Sequence, residues 1–320
     1  MSFVIATIWD FDKTLIQGYM QDPMFDEYEV TAKDFWDENN GLIAKYRAAG
    51  YEVNADTFYL NLMLRYVRTG RFKGLTNEKL RSYGAKQNFY PGAVELLRDI
   101  KDLNENERYK EFDIRFENYI VSTGLKKTIE GSKLAEFVEK IWGCEFIEDE
   151  DTHEISEVAY SIDNTTKTRA IFEINKGVGV GKYKGASIDV NTKIPLEERR
   201  VQFVNMIYVA DGPSDVPAFS VINQKGGATF AVYPRGDETA MAQVDDMRRD
   251  GRVQMYAEAN YEGSSTARMW IMGQLNRQAE KNHFGAKERA RQIPPWHSQT
   301  SSGMRCKRAR GIRAYLLQIL

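Results

Sequence analysis

The sequence predicts an α/β protein, a doubly wound parallel sheet carrying a helical insertion, and three observations predict it. Short apolar runs rich in β-branched residues recur along the chain, helical patterns separate them, and acidic or hydroxyl residues follow directly on three of the runs. A run that is apolar throughout, rather than alternating, fits a strand buried on both faces of a parallel sheet.

The first such run, residues 3–9 (FVIATIW), ends at Asp10. Others lie at 119–121, at 203–210 (FVNMIYVA) and at 228–233, the last following Gly226 and Gly227. Pro91 and Gly92 open AVELLRDIKDL, where Val94, Leu97, Ile100 and Leu103 fall at helical spacing after a proline suited to a helix start. Residues 126–143 predict a second helix, with Leu134, Phe137, Val138 and Ile141 on one face.

Between the first run and Pro91 the text is rich in Tyr, Phe and Asp and shows no strand alternation. Residues 33–48 and 56–67 predict amphipathic helices, the second with Phe58, Leu62, Leu64 and Tyr66 near its apolar side. So long a stretch exceeds ordinary connections of roughly 4–6 residues, so the helical insertion 17–88 is expected to form a small domain of its own, with the core in 1–16 and 89–240. Residues 241–284 are expected to be a helical extension, with a helix over 264–280. Residues 285–320 combine Pro pairs, a Ser/Thr/Gly run and clustered Arg, which predicts a poorly ordered basic tail.

Composition narrows the function classes. A chain of 320 residues that is 42% hydrophobic and 12% aromatic can build a real core. Its formal net charge of −2 gives no global reason to bind polyanions, so nucleic acid is not an expected partner. From Lys281 onward there are nine basic residues against one acid, Glu288, so the tail differs in kind from the body. Its KRARGIR stretch has the charge to touch RNA or acidic lipid, but a solvated charge run is the favoured reading. No stretch approaches the roughly 20 apolar residues of a spanning helix, and the opening eight residues are too short and unflanked for a secretory leader, so no membrane partner is expected. The two cysteines, Cys144 and Cys306, lie far apart without a CxxC, which fits a reducing cytoplasm.

Chemistry-bearing residues cluster after the apolar runs. Asp10, Asp12 and Thr14 form DFDKT after the first, at the strand edge where ligands bind in open α/β sheets. Residues two apart in extended chain point to one side, so one carboxylate can attack a phosphorus while the other serves the leaving oxygen. Two acids this close repel, which favours a shared proton or a bound cation. Asp211 and Asp215 form ADGPSD after FVNMIYV, with both carboxylates facing one point if Ser214 begins a helix. An ordinary acidic helix start explains that pattern as well.

Ser122 ends YIVSTG, where a hydroxyl, Thr123 and Gly124 can approach a phosphate together with backbone N–H groups; simple helix capping is the competing explanation. Lys167 heads NTTKTRAIFEINKG, a place where a cation is electrostatically unhelpful to a helix and so calls for another reason. Lys176, at the end of that stretch, suits the helix dipole and competes for the same role. His153, His283 and His297 are scattered without metal-ligand spacing, and GVGVGKYKG over 177–185 lacks the GK[ST] ending of a phosphate loop.

Taken in order, DxDxT, Ser, Lys and DGxxD make the chain resemble a phosphatase of the haloacid dehalogenase (HAD) superfamily over about residues 1–235, and the insertion resembles the helical cap of its phosphoserine phosphatase-like branch. The resemblance implies a doubly wound, Rossmann-like core. It also implies that Asp10 is the nucleophile that becomes an aspartyl-phosphate, and that Asp12 protonates the leaving oxygen and then activates water. By the same resemblance Mg²⁺ is held by Asp10, the Asp12 backbone carbonyl and Asp211, with Asp215 in support. Ser122, Thr123 and Gly124 would bind the phosphoryl oxygens, and Lys167 would stabilise the phosphoaspartate. Two departures stand: Ala210 occupies a position where Gly is common, and two lysines compete for the third motif.

Relatives that displace halide or cleave carbon–phosphorus bonds lack an acid at the position of Asp12, so hydrolysis of a phosphate monoester is favoured, with a small phosphorylated metabolite as partner. A phosphotransferase or phosphomutase using the same aspartyl-phosphate, or a non-catalytic sensor of a phosphorylated ligand, are the rival readings. Arg65 and Arg68 are candidates to meet an anionic substituent, though solvation explains them equally. The substrate and the oligomeric state are not written in the sequence.

Overall fold

The computed structural model describes residues 3–292. The first apolar run becomes β1 (Phe3–Trp9), buried from Val4 onward. Four helices follow: α1 (Asp22–Glu27), α2 (Ala32–Ala48), α3 (Phe58–Arg68) and α4 (Asn77–Gly84). The chain then alternates through α5 (Ala93–Asp102), α6 (Glu107–Glu111), β2 (Ile114–Leu125), α7 (Lys126–Glu130), β3 (Lys140–Glu148), β4 (Ile155–Tyr160) and α8 (Lys167–Lys176). It finishes with β5 (Met206–Ala210), α9 (Val216–Gln224), β6 (Ala228–Tyr233), α10 (Glu238–Arg249), β7 (Met255–Glu258) and α11 (Thr266–Gln292).

The seven strands form one sheet in the order β4-β3-β2-β1-β5-β6-β7. Every neighbouring pair is parallel except β3 with β4. The central strand β1 therefore feeds β2 on one side and lies against β5 on the other, so the sheet reverses its direction of growth beside β1. Such a reversal leaves a crevice outside the carboxyl ends of the strands, and Asp10 and Asp211 both stand there.

Two expectations are corrected. The helix predicted over 126–143 stops after α7, and its second half is strand β3. Gly131 lies so close to α4 that a Cβ on it would sit 1.8 Å from the Arg81 carbonyl oxygen, and the chain turns away there. The helix-like spacing of Leu134, Phe137, Val138 and Ile141 lost to pairing of β3 with β2, which buries Trp142 and Cys144. The stretch 241–284 is also more than helix, because β7 adds an edge strand to the sheet beside β6.

Residues 22–84 contain no strand and build their own aromatic centre. Phe25 and Phe35 lie 4.8 Å apart, Phe35 meets Tyr66 edge-on at 5.6 Å, and Tyr66 meets Phe72 at 4.9 Å. Thr31 and Thr76 cap α2 and α4 by accepting from the N–H groups of Asp34 and Lys79. This segment is sewn to the sheet at several points. The Tyr59 hydroxyl donates to the Thr123 carbonyl at 2.8 Å, Asn54 Nδ2 donates to Asp163 at 2.9 Å, and Asn77 Nδ2 to the Phe146 carbonyl at 3.0 Å. Leu75 accepts the N–H of Ile155 at 2.9 Å.

The compact unit ends at Asn282. The sequence-predicted tail covers 285–320; α11 reaches into it as far as Gln292, and the remainder lies outside the described residues. Among the described residues no helix is long and apolar enough to cross a membrane.

Candidate active site

Asp10 follows the last residue of β1 and its N–H donates to the Val209 carbonyl at 2.9 Å, so the β1–β5 pairing itself fixes where the carboxylate emerges. The side chain is buried. Its Oδ1 accepts from Lys167 Nζ at 2.9 Å and its Oδ2 takes a long 3.3 Å contact from the Thr14 hydroxyl. Burial pushes its pKa up to about 6, with the Lys167 ammonium pulling the other way.

Asp12 lies two residues on, where the chain is no longer strand, and its Oδ1 accepts the N–H of Met20 at 2.9 Å. Lys13 between them and the turn has φ of 54°, an uncommon conformation for a residue with a side chain, in the sharp bend that carries the chain off the sheet. Burial first, and Asp10 second, hold the Asp12 carboxyl well above its ordinary range.

β5 delivers the second acidic pair. Asp211 directly follows it and accepts no hydrogen bond among the described residues; its pKa is pushed up to about 7, chiefly by burial and then by Asp10. After Gly212 a 3₁₀ turn over Pro213–Asp215 leads into α9, so the helix starts one residue past Asp215 rather than at Ser214. Asp215 is fully buried and heavily tied: its Oδ1 accepts from Lys167 Nζ at 2.7 Å and from the Tyr208 hydroxyl at 2.6 Å, and its Oδ2 from Ser214 at 2.8 Å. One carboxylate oxygen from each of Asp10, Asp211 and Asp215 can be chosen so that all lie within 4.8 Å of one another.

Lys167 occupies the first residue of α8 and is buried with its ammonium between Asp10 and Asp215. Burial opposes its charge, yet Asp10 and Asp215 outweigh that and hold its pKa above the ordinary value. The rival, Lys176, points elsewhere: its Nζ donates to the carbonyls of Val190 and Thr192 at 2.5 and 2.6 Å. Thr166 and Asp163 set the start of α8 reciprocally, Thr166 N–H donating to the Asp163 carboxylate and Asp163 N–H to the Thr166 hydroxyl, each at 2.7 Å.

The third strand end is β2. Trp9 pairs with Ile120, so Ser122 lies two residues past that level, at the same edge of the sheet as Asp10. Ser122 is buried and its Oγ accepts the Gly124 N–H at 3.0 Å. Gly124 has no room for a side chain, because a Cβ would fall 2.2 Å from Met20 Cε, and Thr123 offers its carbonyl to Tyr59. Arg65 and Arg68 line a separate cleft of about 520 Å³ with Tyr46 and Phe58, in the helical segment.

Two contributors carry no signal in the sequence. Tyr208 sits inside an ordinary apolar run, yet its hydroxyl anchors Asp215. Tyr261, beyond β7, donates to the Thr14 carbonyl at 2.6 Å and so braces the turn that holds Asp10 and Asp12.

The fold and site thus define an α/β protein with four acids and one lysine gathered at a sheet reversal. An uncharacterized protein of Borreliella burgdorferi is 38% identical over 289 residues, spanning 85% of this chain and 96% of that one, and this chain belongs to the same family. No family model matches. Among solved structures the chain is similar to a HAD family hydrolase from Salmonella enterica serovar Typhi, at 15% identity and a TM-score of 0.48 over 82% of this chain and 69% of that one. It is also similar to a phospho-aspartyl intermediate analogue of phosphoserine phosphatase, at 17% identity and a TM-score of 0.46 over 80% of this chain and 94% of that one.

Proposed function

We propose that the protein is a phosphohydrolase of the HAD superfamily that cleaves a small phosphate monoester through a phosphate carried on Asp10. The observation that carries this reading is the Asp10 carboxylate at the sheet reversal, held on one oxygen by Lys167 with Asp12 two residues away. Residues 17–88 serve as the cap over this edge, and 1–16 with 89–240 as the catalytic core.

The donor set fits a divalent cation. It consists of oxygen alone, four acids face one lysine, and Asp211 has no partner among the described residues. Oxygen-only sites of this kind suit Mg²⁺. Asp10, the Asp12 backbone carbonyl and Asp211 would hold it, with Asp215 supporting them through Lys167 and Tyr208. When bound, the ion supplies neutralisation of the phosphoryl oxygens as the dianion enters an acidic site.

The chain's own groups perform the rest. A carboxylate oxygen of Asp10 attacks phosphorus, the bond from phosphorus to the alcohol oxygen breaks, and Asp12 gives its proton to that oxygen. A carboxyl whose pKa is raised well above the ordinary range by burial and by Asp10 is suited to that donation. Asp12 then takes a proton from water as the water attacks phosphorus, which releases inorganic phosphate and restores Asp10. Lys167 offsets the charge on Asp10 throughout. The Ser122 hydroxyl, whose oxygen already accepts from Gly124, keeps its own proton for a phosphoryl oxygen, with Thr123 and Gly124 shaping that cradle.

The test is turnover of p-nitrophenyl phosphate by the full chain. Hydrolysis should require Mg²⁺, stop on adding chelator, and fall by more than about 10⁴-fold in Asp10→Asn, since loss of a nucleophile removes the whole covalent route. Undiminished turnover in Asp10→Asn would refute the mechanism. Chelator-insensitive turnover would refute the metal.

A further inference from the structure

The site has a second wall to which the helices of residues 22–84 contribute no lining residue. A cleft of about 510 Å³ opens at the catalytic edge of the sheet, lined by Lys13, Gln17, Tyr90, Arg235, Glu258 and Asn260 among others. These residues come from the turn after β1, the approach to α5, and the ends of β6 and β7, all of which run parallel and finish at the same edge as Asp10. Lys13 follows Asp12 directly. The charges of Asp211 and Asp12 both act on Lys13, and that of Asp211 acts on the Tyr90 hydroxyl, so the cleft borders the acids.

The charged groups of this wall form no ion pair among the described residues. Arg235 is exposed and makes no ion pair or side-chain hydrogen bond among the described residues. Lys13 Nζ lies 4.4 Å from the centre of the Tyr19 ring and pairs with no carboxylate at ion-pair distance among the described residues. Glu258 is the one acid in the lining and makes no ion pair among the described residues, and the Asn260 and Gln17 amides add polar groups. Two cations against one acid give a positive wall facing a negative centre.

On the other side of β1 the helical segment is tied down to the sheet. Tyr59, Asn54, Asn77 and Leu75 tie the helical segment to the β2 end, to the α8 start and to the β3–β4 hairpin. At α4 the backbones touch: a Cβ on Gly84 would sit 2.2 Å from the Thr128 carbonyl oxygen. Lifting the segment away would break these contacts together, whereas the Lys13–Arg235 cleft is already open to solvent.

Resting on the phosphohydrolase reading, we infer that the alcohol half of the substrate lies in this cleft and carries a second anionic group, a carboxylate or a second phosphate, recognised by Arg235 with Lys13. Glu258 and Asn260 receive its hydroxyl or amino donors. The substrate class is a small hydroxy compound bearing one phosphate to be cleaved and one further negative charge. The ends of β6 and β7 thus contribute to specificity together with the turn after β1. A guanidinium matches the planar oxygen pairs of a carboxylate or phosphate better than an ammonium does, so the arginine is the discriminating residue.

The test compares 3-phosphoglycerate, 2-phosphoglycolate and fructose 1,6-bisphosphate with glycerol 2-phosphate and p-nitrophenyl phosphate, whose leaving groups are neutral in the region concerned. The wild-type chain should favour one of the first three by at least about tenfold in kcat/KM over glycerol 2-phosphate, worth about 1.4 kcal/mol. The carboxylate and bisphosphate arms identify which anion is read. Arg235→Ala should raise KM for the favoured ester at least tenfold more than it does for p-nitrophenyl phosphate, and Arg235→Lys should recover only part. Equal losses on both classes, or preference for neutral esters, would overturn the assignment. Binding of the same esters to Asp10→Asn by calorimetry separates the two readings. Binding weakened by Arg235→Ala without any wild-type turnover would keep the cleft and sink the hydrolase; turnover with Arg235-independent binding would do the reverse.

Discussion

Two buried charge clusters share this sheet, and they are built on opposite terms. Within the span of β2, Glu117 pairs with Ala6 of β1 and meets one guanidinium, Arg200, through both of its oxygens, with the Tyr119 hydroxyl donating to the same carboxylate. One negative charge faces one positive charge and every strong acceptor is served. Beyond the ends of β1 and β5, Asp10, Asp12, Asp211 and Asp215 gather, and among the described residues one buried ammonium, Lys167, pairs directly with two of them, Asp10 and Asp215. The first cluster is electrically complete and the second is not. A surplus of buried negative charge is costly, and it persists where something outside the chain, a cation with its anionic substrate, completes it.

The sharpest way to break that contrast is Lys167→Met. The change removes the only cation among the described residues that touches Asp10 and Asp215, leaving two buried carboxylates uncompensated. Breaking a buried pair of this kind costs about 3–5 kcal/mol. Urea unfolding in chelator should show a loss of that size, Mg²⁺ should return part of it, and turnover should collapse. A variant as stable as the parent in chelator would mean that the acids relax by protonation and that the lysine has no electrostatic task.

Arg200→Met is the matched experiment on the complete cluster. Arg200 keeps 18% of its side chain exposed, so the penalty should fall toward the lower end of the same range of about 3–5 kcal/mol. Here Mg²⁺ should return nothing and kcat should hold, because no acid of the catalytic edge is touched. The double change Glu117→Leu with Arg200→Met should recover much of the loss, since replacing a whole buried pair by apolar groups is often neutral. If Mg²⁺ rescued Arg200→Met, the two clusters would not be distinct.

The same contrast explains what the sequence makes legible. Asp10, Asp12, Asp211 and Asp215 announce themselves because each pair interrupts the chain where an apolar run ends, and strand ends in a parallel sheet converge. Lys167 stands out from Lys176 because a cation at a helix start opposes the dipole, and its amine is the one that reaches Asp10. What stays hidden is whatever works through an ordinary-looking position. Tyr208 sits inside an apolar run that says nothing of its hydroxyl, and Tyr261 and Arg200 carry no local mark because their partners Thr14 and Glu117 lie far away in sequence. The element errors share this origin. β3 was disguised by helical spacing that sheet pairing overrode, and β7 is a short edge strand, half-buried through most of its length, with little apolar signal of its own.

A subtler separation of the clusters uses pH. In the metal-free protein burial raises Asp10 to about 6 and Asp211 to about 7, against an unfolded value near about 3.9. Between those limits the native state holds more protons than the unfolded one, so stability is greatest at the acid end of the window and falls as pH climbs through 6 and 7. Glu117 contributes with the same sign, its carboxyl held above the ordinary value chiefly by burial while Arg200 pulls it down. The clusters part on adding Mg²⁺. A cation displaces the protons of Asp10 and Asp211, so the rise in Tm it produces should grow from about pH 5 to about pH 8, whereas the Glu117 share should not respond. Melting curves in chelator and in Mg²⁺, for the parent and for Glu117→Gln, measure this directly. An Mg²⁺ increment that stays flat across the window, or one that shrinks in Glu117→Gln, would show that the cation binds away from the two strand-end acids.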